Sequence, residues 1–314
     1  MSQHTVSFSD VVVRPLLASD LNAVVEVDRS TTKIARRSYF VKRLTSALRK
    51  PKRHFQIAVT SAGGKLLGFL LARQVGGEFG RSESAVMLES VSVSMEARHC
   101  GLGQRLLSAL IDLLRARGVE LLVLHVDWRN HAMLRFAASA GFVLGPRLVL
   151  ERPVQRMSLA HTEEILETTP KQIRNLRESD FDAVVQMDRV LTQLDRTQYF
   201  QRKFDEVLNE STISISLAAE CDGQVVAYAI ARVDYGSEGR VEPTAALHTI
   251  GVAAAYAGQG FGVAILSQLF DNLSALHVES IETEVSSNSF GLLRFLYRFG
   301  FVSSQRLLLQ KQLL

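Results

Sequence analysis

The chain has two cysteines, one tryptophan and six prolines among 314 residues. Cys100 and Cys221 cannot by themselves build a disulfide framework or a metal-ligand cluster. Both are expected to be reduced thiols of a cytoplasmic protein. No apolar stretch reaches the ~18 residues of a membrane span. Residues 1–10 are polar and lack the apolar centre of a signal peptide, so they read as a frayed tail. Charge of one sign is also scarce: 36 Lys and Arg against 32 Asp and Glu give a net +4. That balance permits an anionic ligand without demanding nucleic acid. The run Arg49-Lys50-Pro51-Lys52-Arg53 offers a nucleic-acid reading, but a solvated loop before a strand explains it as well. Neither a nucleic-acid nor a membrane partner is expected. Apolar residues, in contrast, are plentiful. With 47% hydrophobic and 22% charged residues, the chain can bury the cores of about two domains of ~100–200 residues each.

Those two domains are copies of one another. Val13 to Arg29 (VRPLLASDLNAVVEVDR) returns as Ile173 to Arg189 (IRNLRESDFDAVVQMDR), an offset of 173 − 13 = 160. Arg36, Tyr39 and Phe40 return as Arg196, Tyr199 and Phe200. After one residue is lost in a loop, Gly80, Arg81 and Glu83 return as Gly239, Arg240 and Glu242, and Gly141-Phe142 as Gly300-Phe301. A period of a whole domain excludes a solenoid, whose repeats are ~20–50 residues. The polar segment between the copies ends in Thr168-Thr169-Pro170, which reads as a linker. The expected division is 10–155, a linker 156–171, and 172–314.

Within one copy, Ser19 is placed to cap a helix carrying Leu21, Val24, Val25 and Val27 at helical spacing. Arg36 to Leu48 reads as a second helix. Phe55 to Thr60 and Leu66 to Ala72 read as strands joined by a hairpin at Ala62-Gly63-Gly64-Lys65. Ala85 to Val93 is a further strand. A helix from Gly103 to Gly118 puts Leu106, Leu107, Leu110, Leu113 and Leu114 on one core face. Glu120 to Val126 is a buried strand, Asn130 to Ala140 a helix, and Val143 to Glu151 a closing strand. The order β-α-α-β-β-β-α-β-α-β implies an α/β (mixed α+β) fold: a twisted mixed sheet with helices on both faces.

Between the fourth strand and the third helix lies Arg98-His99-Cys100-Gly101-Leu102-Gly103-Gln104, separated by four residues from Val91-Ser92-Val93. A strand feeding a glycine turn and then a helix N-terminus presents unpaired N–H groups to a phosphate. A Walker loop is excluded, because no Gly-Lys-Ser/Thr follows. The G-x-G-x-x-G fingerprint fails at Leu106 and Ile265, and the turn sits in mid-domain. The second copy has Ile250-Gly251-Val252 and then Ala257-Gly258-Gln259-Gly260-Phe261-Gly262.

Arg98, Gly101 and Gly103 fill R/Q-x-x-G-x-G/A, the pyrophosphate loop of the GNAT superfamily of N-acetyltransferases, which the first copy resembles. Asn130 and Gly141-Phe142 resemble that family's N-x(6)-Y-x(3)-G-F segment. In element order the resemblance covers nearly all of both copies. It implies two GNAT-type domains in one chain, packed as a pseudo-dimer, the whole being monomeric or homodimeric. It implies acetyl-CoA as cosubstrate, with its pyrophosphate on 98–104, its pantetheine along Val91–Val93, and the same parts of the second copy (250–252 and 257–262) as its counterpart. The acceptor would be a primary amine of a small molecule or peptide that attacks the thioester directly, which requires a base and a thiolate-protonating acid. Base candidates are Glu89, its partner His248, and the equivalent pair Glu83 and Glu242. Each may instead be structural: the glutamates as partners of Arg81, Arg240 or another arginine, and His248 as a core histidine. The family's Tyr position holds Ala137 and Leu296, and Tyr297, one residue later, is expected to pack. The second copy has Ala257 in place of Arg98 and Ser289 in place of Asn130, so the first copy is better equipped. A chain that holds acyl-CoA as a sensor or scaffold without turnover is the alternative.

Overall fold

A computed structural model describes residues 11–34, 36–76, 80, 84–154, 171–210, 215–235 and 243–314. The first repeat contains β1 (Val11–Pro15), α1 (Leu21–Thr32), α2 (Arg37–Arg49), β2 (His54–Ser61), β3 (Leu66–Val75) and β4 (Ala85–Val93). It continues with α3 (Leu102–Ala116), β5 (Leu121–Asp127), α4 (His131–Ser139), β6 (Val143–Leu144) and β7 (Arg147–Pro153). The second repeats the order: β8 (Gln172–Asn175), α5 (Phe181–Thr192), α6 (Thr197–Asp205), β9 (Leu217–Cys221), β10 (Gln224–Tyr235) and β11 (Pro243–Val252). It ends with α7 (Phe261–Ala275), β12 (Ser280–Ser286), α8 (Phe290–Arg298), β13 (Val302–Ser303) and β14 (Arg306–Gln312). Among the described residues, no helix is long and apolar enough to cross a membrane.

The strands form two seven-stranded mixed sheets, ordered β1-β2-β3-β4-β5-β14-β6 and β13-β7-β12-β11-β10-β9-β8. Each sheet contains the last long strand of the other repeat. β14 lies antiparallel along the whole of β5, from Arg306 opposite Asp127 to Gln312 opposite Leu121. β7 lies along β12 in the same way, from Arg147 opposite Ser286 to Pro153 opposite Ser280. The repeats 10–155 and 172–314 are therefore not self-contained sheets. The single closing strand expected over 143–151 is two strands in different sheets. The break falls at Gly145-Pro146, since proline lacks a donor for the ladder. A Cβ at Gly145 would come within 2.8 Å of Leu308, so glycine lets the crossing strand pass close.

Helices cover both faces of the first sheet. Leu106, Leu107, Leu110 and Leu114 of α3 are buried against β2, β3, β4 and β5. Leu113, expected on that face, is instead exposed. Val24, Val27, Phe40 and Leu44 of α1 and α2 pack on Ala58, Phe69 and Leu71 on the opposite face. Ser19 does not cap α1. It lies in a short turn, and Asp20 accepts from the Leu17 N–H at 2.8 Å. Asp20 also takes a bidentate pair from Arg14 at 2.7 and 2.9 Å, and Asp180 and Arg174 repeat this in the second copy. The basic run is partly docked rather than fully solvated: Lys50 pairs with Asp205 at 3.3 Å and Arg53 with Glu206 at 3.4 Å, both in the second repeat.

Candidate active site

The site begins where two strands part. β4 and β5 pair in parallel at Ala85, Val86 and Met87 with Leu121, Leu122 and Val123. The paired register ends there. β4 also carries a bulge: Leu71 faces Ser90 while Ala72 faces Leu88, which leaves Glu89 as the extra residue. A bulge of this kind re-aims side chains and disrupts the ladder beside it. In the second sheet the extra residue is His248, between Leu247 and Thr249. The gap in the first sheet opens into a cleft of about 510 Å³ that passes between β4 and β5. Its walls are Leu88 to Ser92 on β4, Leu124 to Asp127 on β5, Asp28, Thr31 and Thr32 of α1, and Asn130 and Met133 at the start of α4. Ser304, Gln305 and Arg306, at the start of the exchanged β14, close it from the other repeat.

The glycine turn leads to α3. Gly101 is the residue before its first turn, with φ 72°, and no side chain caps the helix there. The leading N–H groups and the positive end of the helix dipole are thus left to meet an anion. Gly260 (φ 78°) does the same for α7. His99 has φ 61° at the place where the second repeat has Gly258 at 76°. The second glycine of each pair serves helix packing. A Cβ at Gly103 would stand 3.1 Å from Phe136, and one at Gly262 would stand 3.2 Å from Phe295. Leu102 and Phe261 are core residues, and Cys100 packs on that core rather than standing at a reacting centre. Gln104 donates to Ser139 at 2.9 Å and Gln259 to the Ala255 carbonyl at 3.0 Å. Arg98 reaches Thr31 Oγ1 at 3.2 Å, which holds the guanidinium over the end of α1 and beside the cleft. Asn130 caps α4, its Oδ1 accepting from Met133 N at 3.1 Å. Val91 and Val93 pack on the α3 side, so that strand offers the cleft mainly its backbone and Ser92.

The candidate bases fare unequally. Glu83 and Glu242 lie outside the described residues. Glu89 lines the cleft with its side chain 4% exposed, and Arg43 (2.9 Å) and Arg73 (2.7 Å) converge on its Oε1. Its arginine partners are thus Arg43 and Arg73. His248 is buried, and burial lowers its pKa well below the ordinary value, with Lys203, Arg232 and Arg73 adding to the effect. An imidazole among three cations is poorly suited to hold a proton. Burial likewise takes His54 down to about 4; Glu89 opposes the shift, and Arg43, Arg73 and Arg232 add to it. Ala137 and Leu296, at the resembled tyrosine position, are core residues. Tyr297 is not packed as expected: it is 43% exposed, and its hydroxyl meets Ser303 Oγ at 3.1 Å.

The family model described as "Acetyltransferase (GNAT) family" matches twice, over 21–142 and 171–301, which together exceed half of the sequence. The chain belongs to the GNAT acetyltransferase family. Solved structures agree on the fold. A GCN5-related N-acetyltransferase from Sphaerobacter thermophilus is similar at TM-score 0.63 and 16% identity, covering 96% of each chain. A tandem GNAT protein from the clavulanic acid biosynthesis pathway is similar at TM-score 0.64 and 17% identity, over 97% of this chain and 99% of that one. The GCN5-related glucosamine N-acetyltransferase region of a fungal multi-domain GH3 β-N-acetylglucosaminidase gives TM-score 0.69 at 15% identity. That match covers 96% of this chain and 38% of the fungal one, so this chain spans well under half of that protein. No curated protein matches the sequence significantly.

The two GNAT units differ inside their clefts. Leu191, Tyr228 and Gly251 stand where the first repeat has Thr31, Phe69 and Ser92. A Cβ at Gly251 would lie 2.6 Å from the Tyr228 ring and 3.1 Å from Leu191, so that flank is filled. Thr283 Oγ1 donates to the Leu247 carbonyl at 2.9 Å across the point where β11 and β12 part. Leu124 holds the same place in the first repeat and leaves its strand edge unbridged by a hydroxyl.

Several cleft residues were invisible to sequence reasoning. His125 lines the first cleft, and its Nε2 stands 3.1 Å from Oε1 of Glu284, which also lies 3.5 Å from Arg147 Nε. The repeat register makes His125 and Glu284 equivalent positions at offset 159. That equivalence was legible, but their meeting depends on the strand exchange.

Proposed function

We propose that the first repeat binds acetyl-CoA as cosubstrate and transfers its acetyl group to a primary amine of a small molecule or peptide by direct attack. The observation that carries this reading is the cleft between the parted strands β4 and β5, with Arg98 of the glycine turn held beside it by Thr31 at 3.2 Å. The parts suit the ligand. Backbone donors of Leu102 to Gln104 and the guanidinium of Arg98 would take the pyrophosphate. The β4 edge from Val91 to Val93 would pair with the amide groups of the pantetheine. The cleft volume is that of a typical small-molecule site, ~300–1,000 Å³. Glu89, held by two arginines, would fix the bulge that shapes the strand edge.

The second repeat is assigned a supporting role. Tyr228, Leu191 and the Thr283 bridge occupy its flank and strand gap, and its cradle lacks the Arg98 cation. Its contribution to transfer is the wall made by Ser304, Gln305 and Arg306. The reading has one chain working as an intramolecular pair in the cytoplasm, with Cys100 and Cys221 as free thiols.

Calorimetry with acetyl-CoA, followed by thiol release over a panel of primary amines, tests the proposal. Binding at one site and release that depends on one amine class supports it. Binding without release above hydrolysis leaves the sensor reading, and no binding removes both. Trp128, the single tryptophan, flanks the cleft and bonds Gln305, so its fluorescence gives a second readout.

A further inference from the structure

We propose that His125 is the proton-transferring residue of the first site and that Glu284, from the other repeat, positions it. The inference rests on the function proposed above. His125 sits on β5 just past the point where β4 and β5 part, on the sheet face away from Leu122, Leu124 and Val126. Its side chain is 8% exposed and lines the cleft, and the Glu284 side chain is 3% exposed. A buried carboxylate 3.1 Å from Nε2 steadies the imidazolium once the ring gains a second proton. Glu89 cannot do this work well with two guanidiniums on Oε1, and His248 is among three cations.

Charges reach His125 from every side. Glu284 on β12 and Arg147 on β7 form the buried chain behind it. Glu89 on β4, Asp127 on β5 with its partner Arg129 at 2.7 Å, Glu151 on β7 and Arg306 on β14 share its cleft. Asp28 and Arg36 do too, but they pair with each other at 2.5 Å. Arg306 also lies 3.4 Å from Glu282, and Glu151 accepts from Ser304 at 2.7 Å. Glu284 is the carboxylate in contact with the ring, so it sets the sign.

The His125 ring takes one proton from the acceptor ammonium. The freed nitrogen forms its bond to the thioester carbon and the C–S bond breaks. The imidazolium returns its proton to the departing thiolate. The second proton lost by the nitrogen passes to water, and the ring is neutral again. An ammonium and a thioester thus become an amide, a thiol and one released proton.

Two measurements test this. The first needs no acceptor. The His125 imidazole is titrated by NMR in the free protein and assigned by its loss in His125→Gln. Glu284→Gln is expected to lower its midpoint by about one pH unit or more, because an adjacent anion favours the charged ring. The second is the pH profile of kcat/KM with the best amine of the panel. His125→Gln is expected to lose about a hundredfold or more while acetyl-CoA affinity stays within twofold. Glu284→Gln is expected to move the ascending limb to lower pH. Wild type that binds acetyl-CoA but turns over no amine overturns the function and this inference together. Wild type that turns over while His125→Gln keeps full activity overturns this inference alone. A Glu284→Gln profile lowered evenly at every pH, with an unmoved titration, assigns Glu284 a structural role only and overturns the positioning claim. Melting temperatures of both variants identify any loss of fold.

Discussion

At the scale of single residues, the protein takes charges out of water with partners attached. Asp28 and Arg36 are both buried and joined by two contacts, at 3.0 and 2.5 Å, and the ring faces of Tyr39 and Phe40 lie beside the guanidinium. Asp188 and Arg196 repeat the pair, and Tyr228 adds a hydroxyl at 3.0 Å from Asp188. Removing one partner strands the other charge, so Asp28→Asn is expected to cost about 3–5 kcal/mol, read by urea denaturation. A loss under about 1 kcal/mol would contradict it. Arg98→Ala removes a charge-assisted contact of about 1.5–3 kcal/mol. It should therefore weaken acetyl-CoA binding about tenfold or more, measured by calorimetry. Two histidines, His248 buried and His54 half-buried, set the response to acid. His54 (about 4) and His248 (well below normal) stay neutral in the folded protein, while in the unfolded chain they take up protons below about 6.5. Stability therefore falls as pH drops from about 6.5 towards 4. Glu206 adds a second loss. Burial resists its charge, but Lys203 and Arg232 hold it down to about 2, so its stabilisation goes between about pH 4.5 and 2. Calorimetric scans should show both stages, and His54→Gln should flatten the first. An unchanged first stage would count against this assignment.

At the scale of elements, the sequence was a good guide wherever a periodicity or a breaker spoke locally. The duplicated α1 and α5, the leucine face of α3 apart from Leu113, and the hairpin at 62–65 form where spacing puts them. The errors fall where a distant strand decides. Val143 to Glu151 reads as one apolar strand, and only Gly145-Pro146 hints at a division. Nothing local says that β7 leaves for the other sheet. The cleft residues follow the same pattern. Gly101 was legible from the turn, since its role is made by neighbours in sequence, and Asn130 from the family segment it resembles; its cap of α4 came only with the structure. The arginine partners of Glu89 come from α2 and β3, and the partner of His125 comes from the other repeat. These meetings are made by tertiary packing and leave no local trace. The glycine pairs carry a test at this scale. Gly103→Val is expected to displace Phe136 from α4, lower the melting temperature and disturb Asn130 with it. A variant with unaltered stability would show that the 3.1 Å approach is slack.

At the scale of the whole molecule, the exchange of β7 and β14 ties the two repeats into one folding unit. Neither sheet is complete without the other repeat, and the first cleft is walled by Ser304, Gln305 and Arg306. Duplication followed by divergence then has a physical sense. One copy keeps a polar, open cleft, and the other fills its own with Tyr228 and Leu191 while lending a wall and a carboxylate. A fragment of residues 1–154 lacks the strand that β14 supplies and has a β7 with no sheet to join. Two such fragments can exchange β7 about a twofold axis, so the fragment is expected to form a homodimer, seen by light scattering. A stable folded monomer of it would contradict the need for exchange.

The most direct test of the central claim is the stoichiometry of acetyl-CoA binding in the full chain before and after Gly101→Glu, which puts bulk and negative charge into the first turn. One site per chain is expected in the wild type and none in the variant, with the melting temperature reporting an intact fold. Two equal sites in the wild type, or an undiminished site in a folded Gly101→Glu protein, would contradict it.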